Sequence, residues 1–165
     1  MSARAILLVA LTVLFLLNPA TADDTLSIPP LGKLHEIDVD FLGSGTLYFT
    51  RVFSNGAGTL CFASQVIGWC PARTFDFKVL YEQLSMARHS SNSDPKFEWT
   101  AGFLVLNPNA QVQSPVSKGI DPVIVLGILK TFVAASTNKK YMLQRFADSP
   151  ALPPTQTSEL LKAGN

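Results

Sequence analysis

The chain has 165 residues, 47% of them hydrophobic, with thirteen basic and twelve acidic side chains. A nearly neutral chain of this kind is not built for nucleic acid, where affinity comes mainly from neutralising phosphates. Its densest basic group, Lys139, Lys140 and Arg145, reads as a solvated helix end.

Residues 1–22 have the layout of an export signal. Arg4 supplies the positive start, and Ala5 to Leu17 is apolar apart from Thr12. Asn18-Pro19 breaks the helix, and Ala20-Thr21-Ala22 is a small-x-small cleavage pattern. The apolar run falls short of the roughly 20 residues that span a bilayer. Removing 22 of the 165 residues leaves 143, enough for one domain with its own core. The mature chain loses only Arg4 and becomes formally neutral. It is expected to be periplasmic or secreted, with no stable membrane span after cleavage. No cysteine precedes Cys61, so no lipid is attached at the cleavage site.

Ile28-Pro29-Pro30-Leu31 predicts an extended arm over residues 23–33. Leu34 to Phe41 then alternates, with Ile37, Val39 and Phe41 on one face and Glu36, Asp38 and Asp40 on the other. This is a half-buried strand, and its carboxylates read as a solvated face whose charge protects a sheet edge. A calcium site would want a cage of about 6–8 oxygens, usually supplied by a loop. Gly43-Ser44-Gly45 predicts a turn. Asn55-Gly56 between apolar runs predicts a hairpin joining Leu47–Phe53 to Thr59–Val66. With those two residues central, Phe49 faces Phe62, and Leu47, Phe49, Phe53, Leu60 and Phe62 share one face. Trp69, Tyr48 and Trp99 read as core.

Cys61 and Cys70 are the two cysteines. An even count in an oxidising compartment predicts one disulfide. It would hold a wide loop from Ser64 to Trp69 shut and stabilise by about 2–3 kcal/mol.

Asp76 to His89 predicts a helix capped by Asp76, with Phe77, Leu80, Tyr81, Leu84 and Ala87 at helical spacing. Ser90 to Lys96 is a polar loop. Phe97 to Leu106 predicts a strand, and Val112 to Val116 a weak one that Pro115 keeps at an edge. Asp121-Pro122 starts a helix running to about Thr137, too short for a membrane span. Tyr141 to Phe146 suggests a short helix. Pro150, Pro153 and Pro154 predict extended chain from Ser149 to Thr157, and Ser158 to Lys162 a terminal helical turn.

These elements predict an α+β fold: an antiparallel sheet of about five strands, two main helices and one disulfide. Residues 34–147 form the single globular domain and 148–165 a proline-rich tail. His35 and His89 are the only histidines, and neither belongs to a motif for catalysis. No G-x-S-x-G elbow or phosphate loop is present, and no catalytic residue, metal ligand or cofactor is expected. The arms, through Ile28, Pro29, Pro30, Leu31, Leu152, Pro153 and Pro154, are the candidate surfaces for a protein partner by strand addition or groove binding. The expected function is an exported, non-enzymatic protein-binding module, with an accessory subunit of an envelope secretion or transfer assembly as its context. The alternatives are a small exported hydrolase using a histidine with a serine or carboxylate, and a carrier of an apolar ligand.

Overall fold

The computed structural model describes residues 28–43, 46–86, 94–107, 110–113 and 117–164. The export signal, His89, and the turn residues Ser44 and Gly45 lie outside the described residues. In chain order, β1 (Glu36–Gly43), β2 (Thr46–Phe53), β3 (Gly58–Phe62) and β4 (Gln65–Cys70) precede α1 (Phe77–Met86). Then come β5 (Trp99–Asn107), β6 (Ala110–Gln113), β7 (Ser117–Lys118), α2 (Pro122–Ala135), α3 (Lys139–Asp148) and α4 (Pro154–Ala163). The α+β class holds.

The strands pair antiparallel in the order β4-β3-β2-β1-β5-β6, with β7 also on β5. β1 to β5 carry the sheet, and the short β6 and β7 extend it past the expected five. β1 is therefore a central strand, hydrogen-bonded to β2 on one side and β5 on the other. The reading of its carboxylates as edge-protecting is corrected by that position. No described helix is long and apolar enough to cross a membrane.

Among the described residues, α1, α2 and α3 lie on one face of the sheet, and α4 packs over α2 and α3. That face carries Ile37, Val39 and Phe41, then Tyr48 and Val52, Leu60, and Trp99, Ala101 and Phe103, all buried. Leu129, Phe132 and Val133 of α2 and Met142 and Phe146 of α3 fill the space above. Asp121 caps α2 as expected, its carboxylate accepting from the Val123 N–H at 2.8 Å. Asp76 does the same for α1 through the Val79 N–H at 3.0 Å.

Two buried polar side chains tie the C-terminal segment to the sheet. The Tyr48 hydroxyl lies 2.9 Å from the Arg145 carbonyl and 2.7 Å from the Ser149 carbonyl. The Trp99 indole N–H donates to the Ala151 carbonyl at 2.8 Å. Burying an aromatic with its polar end satisfied costs no stranded donor. Past this clasp, the chain departs from the expected extended tail. Pro154 occupies the first helical position of α4, where its missing N–H is no loss. α4 then packs on α2 and α3 through Leu160.

The β2–β3 connection differs from the two-residue turn by one residue. Ser54, Asn55 and Gly56 make a three-residue loop, closed by Phe53 N–H to Ala57 O at 2.9 Å and Gly56 N–H to Phe53 O at 2.8 Å. Gly56 holds φ +79, and a Cβ there would sit 2.5 Å from the Phe75 carbonyl oxygen. Only glycine suits that position. The register becomes Tyr48 opposite Phe62 and Phe49 opposite Cys61. A one-residue slip exchanges faces, so Leu60 and Phe62 share the helix-covered face with Tyr48 rather than with Phe49.

The same parity rules out the expected disulfide. β3 and β4 are joined at Ala63-Ser64, both with positive φ, so the connection is a tight turn and not a wide loop. A bulge at Ile67 follows: Leu60 pairs with Gly68 while Cys61 pairs with Val66. Cys70 pairs with Gly58 on the helix side and is fully buried, whereas Cys61 points to the opposite face. Both are free thiols. Side chains on opposite faces of a sheet cannot be bridged without moving the backbone.

Candidate functional site

Among the described residues no helix covers the second face of the sheet, hereafter the outer face. β2 brings Leu47, Phe49, Arg51 and Phe53 to it, β3 brings Thr59 and Cys61, and the turn and β4 bring Ala63, Ser64 and Val66. Together they line a groove of about 400 Å³. Trp69, opposite Thr59, stands on the same face and is 60% exposed; Val66 is 63% exposed. The expectation that Trp69 is core is therefore corrected. Among the described residues it is the most exposed large aromatic, and tryptophan and arginine are the residues that most often dominate binding energy.

Beside the groove runs the acidic row of β1. Glu36 lies opposite Phe53, Asp38 opposite Arg51 and Asp40 opposite Phe49. Glu36 and Asp38 are only 5% and 4% exposed. A solvated face is thus not what these carboxylates form. Their neighbours across β5 are Leu104, Gly102 and Thr100, which supply no charge. Arg51 is the nearest cation, with Nε 3.4 Å from Glu36 and 3.8 Å from Asp38. Its guanidinium also stacks 4.4 Å from the Phe49 ring centre.

Burial controls the protonation of this row. Asp38 is raised from 3.8 to about 8, first by desolvation, then by its hydrogen bond to Glu36 and the Glu36 charge, with Arg51 pulling the other way. Asp40 is raised to about 7 by desolvation, again opposed by Arg51. Near neutral pH Asp38 therefore holds a proton, which lets two adjacent carboxyl groups share one site. Burial also pushes the Cys61 thiol up against the pull of Arg51, so it is a poor nucleophile. No group of three His, Cys, Asp or Glu among the described residues is arranged to hold a metal ion.

The proline arms occupy other places. Ile28 and Leu31 pack partly buried against the core, and the Tyr81 hydroxyl donates to the Pro29 carbonyl at 3.0 Å. Pro30 is exposed. Leu152 is 1% exposed, Pro153 caps α4 and Pro154 opens it. None of these residues lines the outer groove. His35 is half-buried, its ring edge-on to Phe53 at 6.3 Å, and its backbone N–H donates to the Leu104 carbonyl at 2.9 Å.

No protein-family model, no curated protein and no solved structure matches this chain. The outer face has to be read from its own chemistry. Arg51 is the residue that carried the missing signal: a cation at the same parity as Leu47, Phe49 and Phe53 marks that face of β2 as open to water.

Proposed function

We propose that this protein is an exported, non-enzymatic protein-binding module that docks its partner on the outer face of the sheet. The observation that carries the reading is the asymmetry of the two faces. One is fully covered by helices; the other presents a groove of about 400 Å³ rimmed by the exposed Trp69 and Val66. Exposed apolar surface with an aromatic and an arginine at its centre is the usual composition of a docking patch. A non-enzymatic role is favoured by the burial of the Glu36 and Asp38 carboxyls, since a general acid must reach its substrate.

The test places a photo-crosslinking residue at Val66 and, separately, at the exposed Lys140 of α3 in the cells that make the protein. Adducts to a distinct protein from position 66, and none from position 140, are the expected result. Adducts at position 140 alone, or none at 66, would overturn the reading. Export is tested by sequencing the N-terminus of the protein recovered outside the cytoplasm, which is expected to begin at Asp23.

A further inference from the structure

β4 lies at one end of the sheet and pairs with β3 alone. Among the described residues, no backbone hydrogen bond outside that ladder involves Gln65–Cys70, so the far edge of β4 is unpaired. Proteins usually blunt such an edge with a charge, a proline or a very short strand. Gln65–Cys70 has six residues and carries neither charge nor proline. At about 3.3 Å per residue it offers an open edge of about 20 Å. The Ala63-Ser64 turn bounds it at one end and Pro71, which has no N–H, at the other. An uncharged row of free donors and acceptors is a template for one more strand.

The bulge at Ile67 decides which strand fits. A regular strand alternates its faces without a break, and β4 does not. Gln65 lies opposite Phe62 on the helix side, and Val66 lines the outer groove. Ile67 is 2% exposed within the core, and Gly68, opposite Leu60, sits under Met142 of α3. Trp69 then faces outward and Cys70 inward. Read from either end, the order is inward, outward, inward, inward, outward, inward. Residues directly opposite in an antiparallel pair share a face. A second β4, turned about a two-fold axis, therefore meets the first with all six residues matched. Gln65 faces Cys70, Val66 faces Trp69 and Ile67 faces Gly68. Shifting that register by one residue sets outward side chains against inward ones. A regular strand fits less well, because it leaves Ile67 over, as β3 does.

We propose that the protein forms a two-fold dimer by antiparallel pairing of β4 with β4 of a second copy, joining the two sheets edge to edge. On the outer face, Val66 and Trp69 of one copy then pack against Trp69 and Val66 of the other. Aromatic and β-branched side chains are favourable cross-strand pairs, and these two are 60% and 63% exposed in the single chain. The contact is self-complementary, as a two-fold interface must be.

The dimer goes beyond the docking face and uses a different surface, the backbone edge of β4. It leaves Leu47, Phe49 and Arg51 of each groove uncovered and gives Val66 of one groove a neighbour, Trp69, from the second copy. One strand pair is small beside a standard protein interface, so association belongs at micromolar and not nanomolar concentration.

The experiment is sedimentation velocity on the purified protein, from micromolar to several hundred micromolar. A monomer–dimer equilibrium is expected across that range. The V66E/W69E variant sets like charges directly opposite each other and should raise the dimer dissociation constant at least about tenfold. The V66K/W69E variant sets Lys against Glu at both places and should restore the dimer, which only this register predicts. Both positions are more than half exposed, so each variant should unfold as cooperatively as the parent. Leu47→Glu, two strands in from the edge, should leave the dimer intact. A protein that stays monomeric throughout would overturn the proposal. So would a dimer that V66E/W69E leaves unchanged, one that Leu47→Glu splits, or a V66K/W69E variant as monomeric as V66E/W69E. None of these results bears on crosslinking from position 66 to a distinct protein, so the docking face stands or falls separately.

Discussion

The two faces of one sheet follow opposite rules. On the helix side, Tyr48, Trp99 and Thr50 are fully buried, and each polar atom has its acceptor: Arg145 and Ser149, Ala151, and Val39 respectively. On the outer side, Glu36 and Asp38 are almost as deeply buried, but they face each other as like acids, with Arg51 Nε at 3.4 and 3.8 Å as their one cation. The first face is complete as it stands. The second tolerates desolvated carboxyls because burial raises Asp38 and Asp40 toward their protonated forms, against the pull of Arg51.

The largest expected effect comes from emptying the complete face. Phe132 of α2 is fully buried and packs 5.1 Å from the Phe75 ring centre. Phe132→Ala should cost about 3–5 kcal/mol in chemical denaturation. A loss below about 1 kcal/mol would mean that the helix layer is looser than its packing shows.

The second prediction concerns the outer row. Unfolded, Asp38 and Asp40 titrate near 3.8, whereas folded they hold protons to about 8 and 7. Above pH 4 the unfolded chain therefore binds fewer protons than the folded one, and these groups lower stability as pH rises, until about pH 8. Melting temperature should fall from pH 5 to pH 8 and then level. The D38N/D40N variant should flatten that slope and gain about 1–3 kcal/mol at pH 8 relative to the parent. An unchanged slope would show that the row is hydrated and ionised.

Smaller effects sharpen the contrast. Tyr48→Phe keeps the ring but removes the hydroxyl donor beside the Ser149 carbonyl, while the Arg145 carbonyl keeps the Ser149 N–H, for an expected loss of about 1–2 kcal/mol by thermal or chemical unfolding. Trp69→Ser on the outer face removes a larger side chain, yet should shift stability by no more than about 0.5 kcal/mol. If Trp69→Ser proved the costlier of the two, the outer face would be structural and not a docking surface.

Much of the fold was legible because it rests on local rules. The alternation of Ile37, Val39 and Phe41 gives β1, and Asp76 and Asp121 announce α1 and α2 as caps. The site was less legible because it depends on register and position. Alternation shows that Glu36, Asp38 and Asp40 share a face, but not that β1 is central and that β2 and β5 flank them. Cysteine counting predicts a bond that the bulge at Ile67 and the parity of β3 and β4 forbid. Leu47, Phe49 and Phe53 read as core from hydropathy alone; Arg51 between them was the contrary sign. In the tail, Pro154 marks a helix start as readily as an extended chain.

The clasp at the C-terminal segment sets a timetable. Tyr48 finds its acceptors 97 and 101 residues later, and Trp99 finds its own 52 residues later. A chain emerging from the ribosome N-terminus first therefore exposes all the long strands before the groups that complete their core exist. The sheet closes only once α3 and the segment after it have been made, and contacts of such long sequence separation form late. For the exported protein proposed above, this delay keeps the chain threadable during synthesis and leaves final closure to the far side of the membrane.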